Sequence, residues 1–380
     1  MIKVVILQHR LLHYRVSFFE QLRQLCATRG IELHLVHGQA SRREKAKKDE
    51  GSISWSHKVN NSFWEVGSAD VIWQPFPKSL RDADLIVLIQ ENRIISQYLF
   101  ILSRYWSKRK IAYWGHGANL QSKAPRGLRE RWKQLLLTKV DWWFAYTSAT
   151  TDILVKAGFP FEKITCLNNA IDNGKFKSEL EAISASDLDK AKSELGIING
   201  APIGLFCGSL YPDKRLDILI EASDIIQANH PEYHLVVLGD GPSMPIMQDA
   251  EKSRSWLHIL GIKKGAEKAL YFRMADFLLN PGAVGLHIVD AFCAGLIMLT
   301  TENAKHGPEI AYLQNGVNGL ATRDSAEEYA NAVLGLLRDR TSFESIKNAA
   351  LAAASVYSLE NMVTNFADGI DRALAMPNKH

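Results

Sequence analysis

Residues 280–295 read Asn-Pro-Gly-Ala-Val-Gly-Leu-His-Ile-Val-Asp-Ala-Phe-Cys-Ala-Gly, a glycine-punctuated loop running into an amphipathic segment with an acid in its first turns. Loops of this build bind anions. Gly282 and Gly285 lack a Cβ, so the backbone around Ala283, Val284 and Leu286 can turn N–H groups toward a ligand, and the following helix adds the positive end of its dipole. The chemistry indicated is capture of a phosphate or diphosphate, although a strand-to-helix turn that only packs is spelled the same way. A second glycine turn, Gly239-Asp240-Gly241-Pro242, follows an apolar run and lies at the carboxyl end of a strand, where open α/β sheets bind ligands. It lacks the full Gly-x-Gly-x-x-Gly spacing, which argues against a nicotinamide cofactor. Gly115-His116-Gly117 also ends a strand and offers an imidazole to whatever binds there, or serves as a turn alone. Asp82-Ala83-Asp84 has the spacing of a metal-diphosphate site, yet it directly precedes a strand-like run and reads better as a strand entrance.

Positioning such loops requires parallel strands alternating with helices. Short apolar runs at 3–7, 32–36, 85–89, 110–114, 142–145 and 164–166 read as strands, with helical spacing at 18–26 and 128–137. A second series follows at 203–206, 234–238, 257–259, 277–279, 297–300 and 319–321, with helices at 216–228 and 326–337 between strands. Residues 172–200 are polar and rich in Ser, Lys and Glu, which fits a linker and hinge with one embedded helix at 186–195. The fold class expected is α/β, with two Rossmann-like domains.

With 380 residues, 47% hydrophobic and 23% charged, the chain is an ordinary globular protein of two domains. No apolar run reaches membrane-spanning length, and the Val-Val-Ile-Leu run at 4–7 is too short for a signal peptide. The four cysteines lack Cys-x-x-Cys spacing, so neither zinc nor a disulfide framework is expected, and a cytoplasmic location follows as the default. The net charge of +4 conceals an asymmetry: residues 1–180 carry 28 Lys and Arg against 16 Asp and Glu, leaving 17 against 25 for the remainder. Basic residues cluster at 42–48, 104–110 and 123–139, with Trp106 and Trp132 among them. That interleaving suits an anionic membrane surface, although each run is also an ordinary solvated face. No nucleic-acid-binding signature accompanies it.

Taken together, residues 203–320 resemble the C-terminal domain of the family 4 (group 1) retaining glycosyltransferases, whose GT-B architecture sets two Rossmann-like domains facing across a cleft. Phe206-Cys207-Gly208-Ser209-Leu210-Tyr211-Pro212-Asp213-Lys214 looks like the family's strand and phosphate-binding loop. The turn at Gly239 and Gly241, then His306-Gly307-Pro308-Glu309-Ile310 and Asn315-Gly316-Val317-Asn318-Gly319-Leu320, follow in the family's order, and Asn169-Ala170-Ile171-Asp172 resembles its domain junction. The resemblance implies a nucleoside-diphosphate-sugar donor, no metal or cofactor, and retention, with Lys214 and the backbone of the loop at Gly282, Ala283, Val284, Gly285 and Leu286 stabilising the departing diphosphate. It implies that His116 approaches the donor sugar. Two departures stand out. The family's Glu-x7-Glu pair falls on Gly282 and Asp290, so the sugar-reading carboxylate is missing and the ribose acid is shorter. Ser209 stands where an Arg commonly pairs with the phosphates, a role that Arg215 can take over.

On the acceptor side, Tyr14 and Arg15 follow the first strand and are expected to contact a glycan acceptor; the basic first half favours a lipid-linked or oligosaccharide acceptor, met by an enzyme lying on the inner face of the cytoplasmic membrane. The domains expected are an acceptor-binding domain at 1–178, a linker at 179–200, a donor-binding domain at 201–355, and a C-terminal helix at 356–380 returning to the first domain. The readings that compete are a catalytically silent sugar-nucleotide-binding subunit, for which the missing carboxylate argues, and a nucleotide-sugar epimerase.

Overall fold

In the computed structural model of the chain, residues 1–45, 49–67, 69–117 and 135–377 are described. The chain divides into two units, Met1–Asp172 with Leu359–His380, and Asn173–Ser358. Residues 128–134 of the expected helix at 128–137 and most of the basic run at 123–139, with Trp132, lie outside the described residues, as do Lys47 and Lys48.

The first unit is built on a seven-stranded parallel sheet in the order His57–Lys58, Ile31–Gly38, Ile2–Arg10, Leu85–Ile89, Lys110–Gly115, Trp142–Ala145, Ile164–Cys166. Its central strands are apolar throughout because both faces are covered; all five residues of Leu85–Ile89 are buried. The first strand outlasts its apolar run. Pairing with Ile31–Gly38 continues through a register shift between Gln8 and Arg10, which carries the polar residues His9 and Arg10 into the sheet's carboxyl edge, both buried. An antiparallel pair, Ser62–Val66 with Ala69–Trp73, was not foreseen, because the first of these strands is mostly exposed and shows no alternation. At the opposite edge, Lys3 ties down the acid pair: its ammonium lies 2.7 Å from Asp82 and its backbone N–H donates to Asp84 at 2.8 Å. Asp82-Ala83-Asp84 is thus a strand entrance.

The helix Leu359–Ala375 belongs to this unit and buries Met362, Phe366 and Ile370 against the sheet. Phe366 stacks on Phe144 at 4.1 Å, and a Cβ at Gly369 would come within 2.6 Å of the Phe144 ring, so the glycine sets how closely the helix approaches. Lys110 closes the helix end by donating to the carbonyls of Ala373, Leu374 and Met376.

The second unit carries a six-stranded parallel sheet in the order Leu257–Gly261, His234–Leu238, Ile203–Cys207, Phe277–Leu279, Ile297–Thr301, Gly319–Thr322. Helices Leu216–Asn229 and Ala326–Arg338 pack on one face, His287–Ala294 and Gly265–Met274 on the other. Residues 173–200 are not a linker. They form two helices, Asn173–Ala182 and Ala185–Glu194, which bury Phe176, Leu180 and Ala191 in the second unit's core. Three apolar anchors in a polar stretch suffice because Phe272 receives Phe176 edge to face.

Candidate donor-binding site

Three loops emerge from the carboxyl ends of adjacent strands of the second sheet: 208–215 after Ile203–Cys207, 239–243 after His234–Leu238, and 280–286 after Phe277–Leu279. They press on one another backbone to backbone, with a glycine at each contact. A Cβ at Gly239 would lie 1.9 Å from the Gly208 carbonyl oxygen, one at Gly241 would lie 2.6 Å from that of Leu210, and one at Gly282 would lie 2.2 Å from that of Asp213. Hydrogen bonds lace the same seam: Leu210 N–H to Asp240 at 3.0 Å, Ser243 N–H to Leu210 at 2.8 Å and Ala283 N–H to Asp213 at 3.0 Å. The chain turns back between Ile203–Cys207 and Phe277–Leu279, so the loops at 208–215 and 280–286 meet at the sheet's topological switch point. Ligands of open α/β sheets bind at that point.

Lys214 reaches across this seam and its ammonium donates to the Ala283 carbonyl. Burial pushes its pKa down to about 8. Ser209 is exposed and carries no charge to the seam. Arg215, expected to take over from the missing Arg, sits in the left-handed region at φ 53° and is held 2.9 Å from Asp324, so its charge is already matched. The loop's backbone is likewise partly committed. Ala283 N–H bonds Asp213, and Val284 N–H donates to His306 Nδ1 at 3.2 Å while Nε2–H of the same ring donates to Thr301 O at 2.8 Å. Those two bonds define a neutral His306, and burial lowers its pKa accordingly.

Gly282 is no vacancy for a carboxylate. Its carbonyl accepts from Thr300 at 3.2 Å and its Cα faces the backbone of Asp213 and Lys214, so no side chain fits there. Asp290 is buried, and Lys268 donates to it at 2.6 Å. Burial pushes the Asp290 carboxyl up, and the Lys268 ammonium, seated 4.7 Å from the Phe176 ring and 5.2 Å from the Phe272 ring, opposes that rise. Beside them His287 opens the helix His287–Ala294, and burial with the charges of Lys214 and Lys268 keeps its imidazole well below the usual range. Lys268 escaped the sequence reading, and His287 and His306 stood there only within motifs, without a role of their own. Lys268 lies 22 residues before its partner on a helix without apolar periodicity, and nothing in the chain order couples the two.

In the first unit His116 is exposed at the end of strand Lys110–Gly115 and meets Tyr146 edge on at 4.1 Å. Gln90 clamps the turn beneath it, donating to Gly117 O and accepting from Gly117 N–H at 2.9 and 3.0 Å. Tyr14 is half exposed, whereas Arg15 is buried and its guanidinium donates to Asn169 at 2.6 Å.

Two α/β units with parallel sheets, and a glycine-seamed loop at the switch point of the second, are the architecture of the GT-B fold. Residues 201–339 match the family of group 1 glycosyl transferases. Over 143 residues it is 27% identical to alpha-monoglucosyldiacylglycerol synthase of Acholeplasma laidlawii, covering 36% of this chain and 35% of that one. Over 202 residues it is 23% identical to lipopolysaccharide 1,2-N-acetylglucosaminetransferase of Salmonella typhimurium, covering 49% and 52%. The chain thus spans between a third and about half of the length of these relatives. Among solved structures it is similar in fold to the Anabaena protein HepE in complex with UDP, at 16% identity and a TM-score of 0.69, covering 98% of this chain and all of that one.

Proposed function

We propose that the protein moves a sugar, with retention, from a nucleoside-diphosphate sugar to a glycan or glycolipid acceptor. The observation that carries this reading is the seam itself: a half-buried lysine set against a glycine loop, at the point of the sheet where ligands bind. The charge that builds during transfer is that on the departing diphosphate, and preorganised cations and N–H donors stabilise it. Lys214 supplies the cation. Because Ala283 and Val284 use their N–H groups internally, the donors offered to the diphosphate are those at Gly285 and Leu286, where the helix dipole adds its positive end. Asp290, oriented by Lys268, is placed to accept hydroxyls of the nucleoside. In retention of this kind the acceptor proton leaves with the phosphate, so no separate protein base is needed, and His116 contributes a hydrogen bond to the sugar. One relative named above is a synthase of a monoglucosyldiacylglycerol and the other a lipopolysaccharide N-acetylglucosaminetransferase, and the HepE structure holds UDP, which together favour a UDP-sugar donor and a lipid-linked acceptor. A thermal-shift panel of UDP-, GDP-, CMP- and dTDP-sugars followed by turnover tests this. Stabilisation by one class with transfer is expected; stabilisation without transfer would establish a silent subunit instead.

A lipid-linked acceptor also accounts for the exposed apolar residues of the first unit. Leu99 and Leu102 on the helix Gln97–Ser103, then Tyr105 and Trp106, are between 50% and 77% exposed, with Lys108 beside them. The surrounding charge is less available than the sequence suggested: Arg104 is bonded to Asp141, Arg109 to the carbonyls of Ala83 and Arg81, and Lys110 to the C-terminal helix. No described helix is long and apolar enough to cross a membrane. We therefore assign membrane contact chiefly to the Leu and aromatic side chains, as a peripheral attachment. In liposome flotation, Trp106→Ser with Tyr105→Ser should release the protein more completely than Lys108→Ser does; equal recovery of all variants with and without anionic lipid rejects the attachment.

A further inference from the structure

A cavity of about 80 Å³ lies in the first unit, bounded among others by Gln8, Arg10, Arg15, Glu91, Trp114 and Tyr146. Its walls come from the residues around the end of Ile2–Arg10, which pairs with Ile31–Gly38 on one side and Leu85–Ile89 on the other. This is the switch point of the first sheet, the counterpart of the donor seam in the second. The volume admits a few waters or one small oxyanion.

Two independent observations say which. The first is Arg15. Its guanidinium is only 7% exposed, donates to Asn169 Oδ1 at 2.6 Å and to the Ala170 carbonyl at 3.5 Å, and lies 5.3 Å from the Tyr14 ring, 5.3 Å from that of Trp114 and 5.8 Å from that of Tyr146. Among the described residues no carboxylate forms an ion pair with it. Neighbouring cations are all matched: Arg10 with Asp49, and Arg93 with both Glu44 and Glu91. A buried cation without a counter-charge is unfavourable unless a ligand completes it. The second observation is a set of enclosed donors. Gln8 Nε2, Arg10 Nε and Trp114 Nε1 have no hydrogen-bond partner, and all three residues bound the cavity. Each unmet group carries a penalty of about 1–3 kcal/mol, so three at one place mark a site awaiting acceptors. Glu91 does not oppose an anion, since His9 at 3.3 Å and Arg93 at 2.7 Å neutralise its two oxygens.

We propose that this cavity binds an oxyanion of carboxylate or phosphate size carried by the acceptor. That the anion belongs to the acceptor rests on the transferase reading; the cavity's demand for an oxyanion does not. Aromatic walls beside the charge suit a sugar ring bearing that group.

The test is a thermal-shift titration with inorganic phosphate at constant ionic strength set with chloride, performed on Lys214→Ala so that the donor loop does not contribute. Saturable stabilisation is expected, weakened about tenfold or more by Arg15→Met, and weakened again by Trp114→Phe, which keeps an aromatic ring and loses the N–H. Trp114→Phe keeps the test decisive if Arg15→Met fails to fold. A phosphate effect unchanged by these substitutions, or matched by chloride, overturns the proposal. In competition, glucose 6-phosphate and glucuronate should displace phosphate while glucose does not; displacement by glucose overturns the charge requirement. Failure of the transferase reading looks different, because no nucleotide sugar is then turned over by the wild-type chain while the Arg15-dependent phosphate effect persists.

Discussion

Lys214→Ala is expected to abolish stabilisation by the donor and to lower turnover about 100- to 1000-fold, the range seen when one preorganised donor to a developing oxyanion is removed. The fold should survive. The Ala283 carbonyl that Lys214 holds also accepts from Asn280 Nδ2 at 3.1 Å, so deletion of the ammonium does not leave it without a partner. The pH dependence gives an independent signature. Burial brings Lys214 to about 8, so in the empty protein the ammonium is lost as pH rises through that value. A diphosphate binds the charged form, and donor affinity should therefore fall above about pH 8 and level off below it. Because the bound diphosphate holds the proton on, the effect belongs to KM more than to kcat. Lys214→Arg keeps its charge throughout and should flatten the profile. A Lys214→Ala protein stabilised by donor as well as wild type removes Lys214 from the site.

Much of the architecture was legible because parallel strands covered on both faces spell themselves as unbroken apolar runs. Leu85–Ile89, Trp142–Ala145, His234–Leu238 and Phe277–Leu279 begin and end where those runs do. Elements held by few apolar anchors were not legible. Asn173–Ala182 contributes only Phe176 and Leu180 to the apolar core, and the burial that makes it a helix comes from a partner about a hundred residues away. The same limit applies to the site. Glycines at 239, 241 and 282 could be seen, but not that each faces another loop's backbone. Pairings such as Lys268 with Asp290 or Arg215 with Asp324 join separate elements and have no local spelling. The charge count misled for a related reason: Arg104, Arg109 and Lys110 look like a solvated basic run, yet each has a structural partner.

Gly282→Glu is expected to lower activity, and Gly282→Ala to lower it nearly as much. Aligned on the family motif, Gly282 looks like a lost carboxylate that a Glu would restore. The geometry gives the opposite expectation, because the obstacle is at Cβ and both substitutions share it. An added Cβ would stand 2.2 Å from Asp213 O and 2.4 Å from both Cα and carbonyl carbon of Lys214, separations that backbone atoms cannot tolerate. The loop at 280–286 has little room to retreat, since Thr300 at 3.2 Å and Asn280 at 3.3 Å donate to the Gly282 carbonyl and Thr301 donates to Pro281 O at 2.6 Å. Loop 213–214 must therefore yield, and Lys214 moves with it. Overpacking of this kind costs about 1–3 kcal/mol, which for a unit of this size lowers the melting temperature by about 2–4 °C per kcal/mol. Donor binding should fall further than stability, because the displaced element carries the phosphate-binding cation. Comparing the two variants decides between the readings. If Glu restores a missing sugar contact, Gly282→Glu exceeds wild type in turnover while Gly282→Ala does not. If the glycine is the seam between two loops, the two variants fall together in melting temperature and donor affinity, and the sugar is read by groups other than an acid at this position.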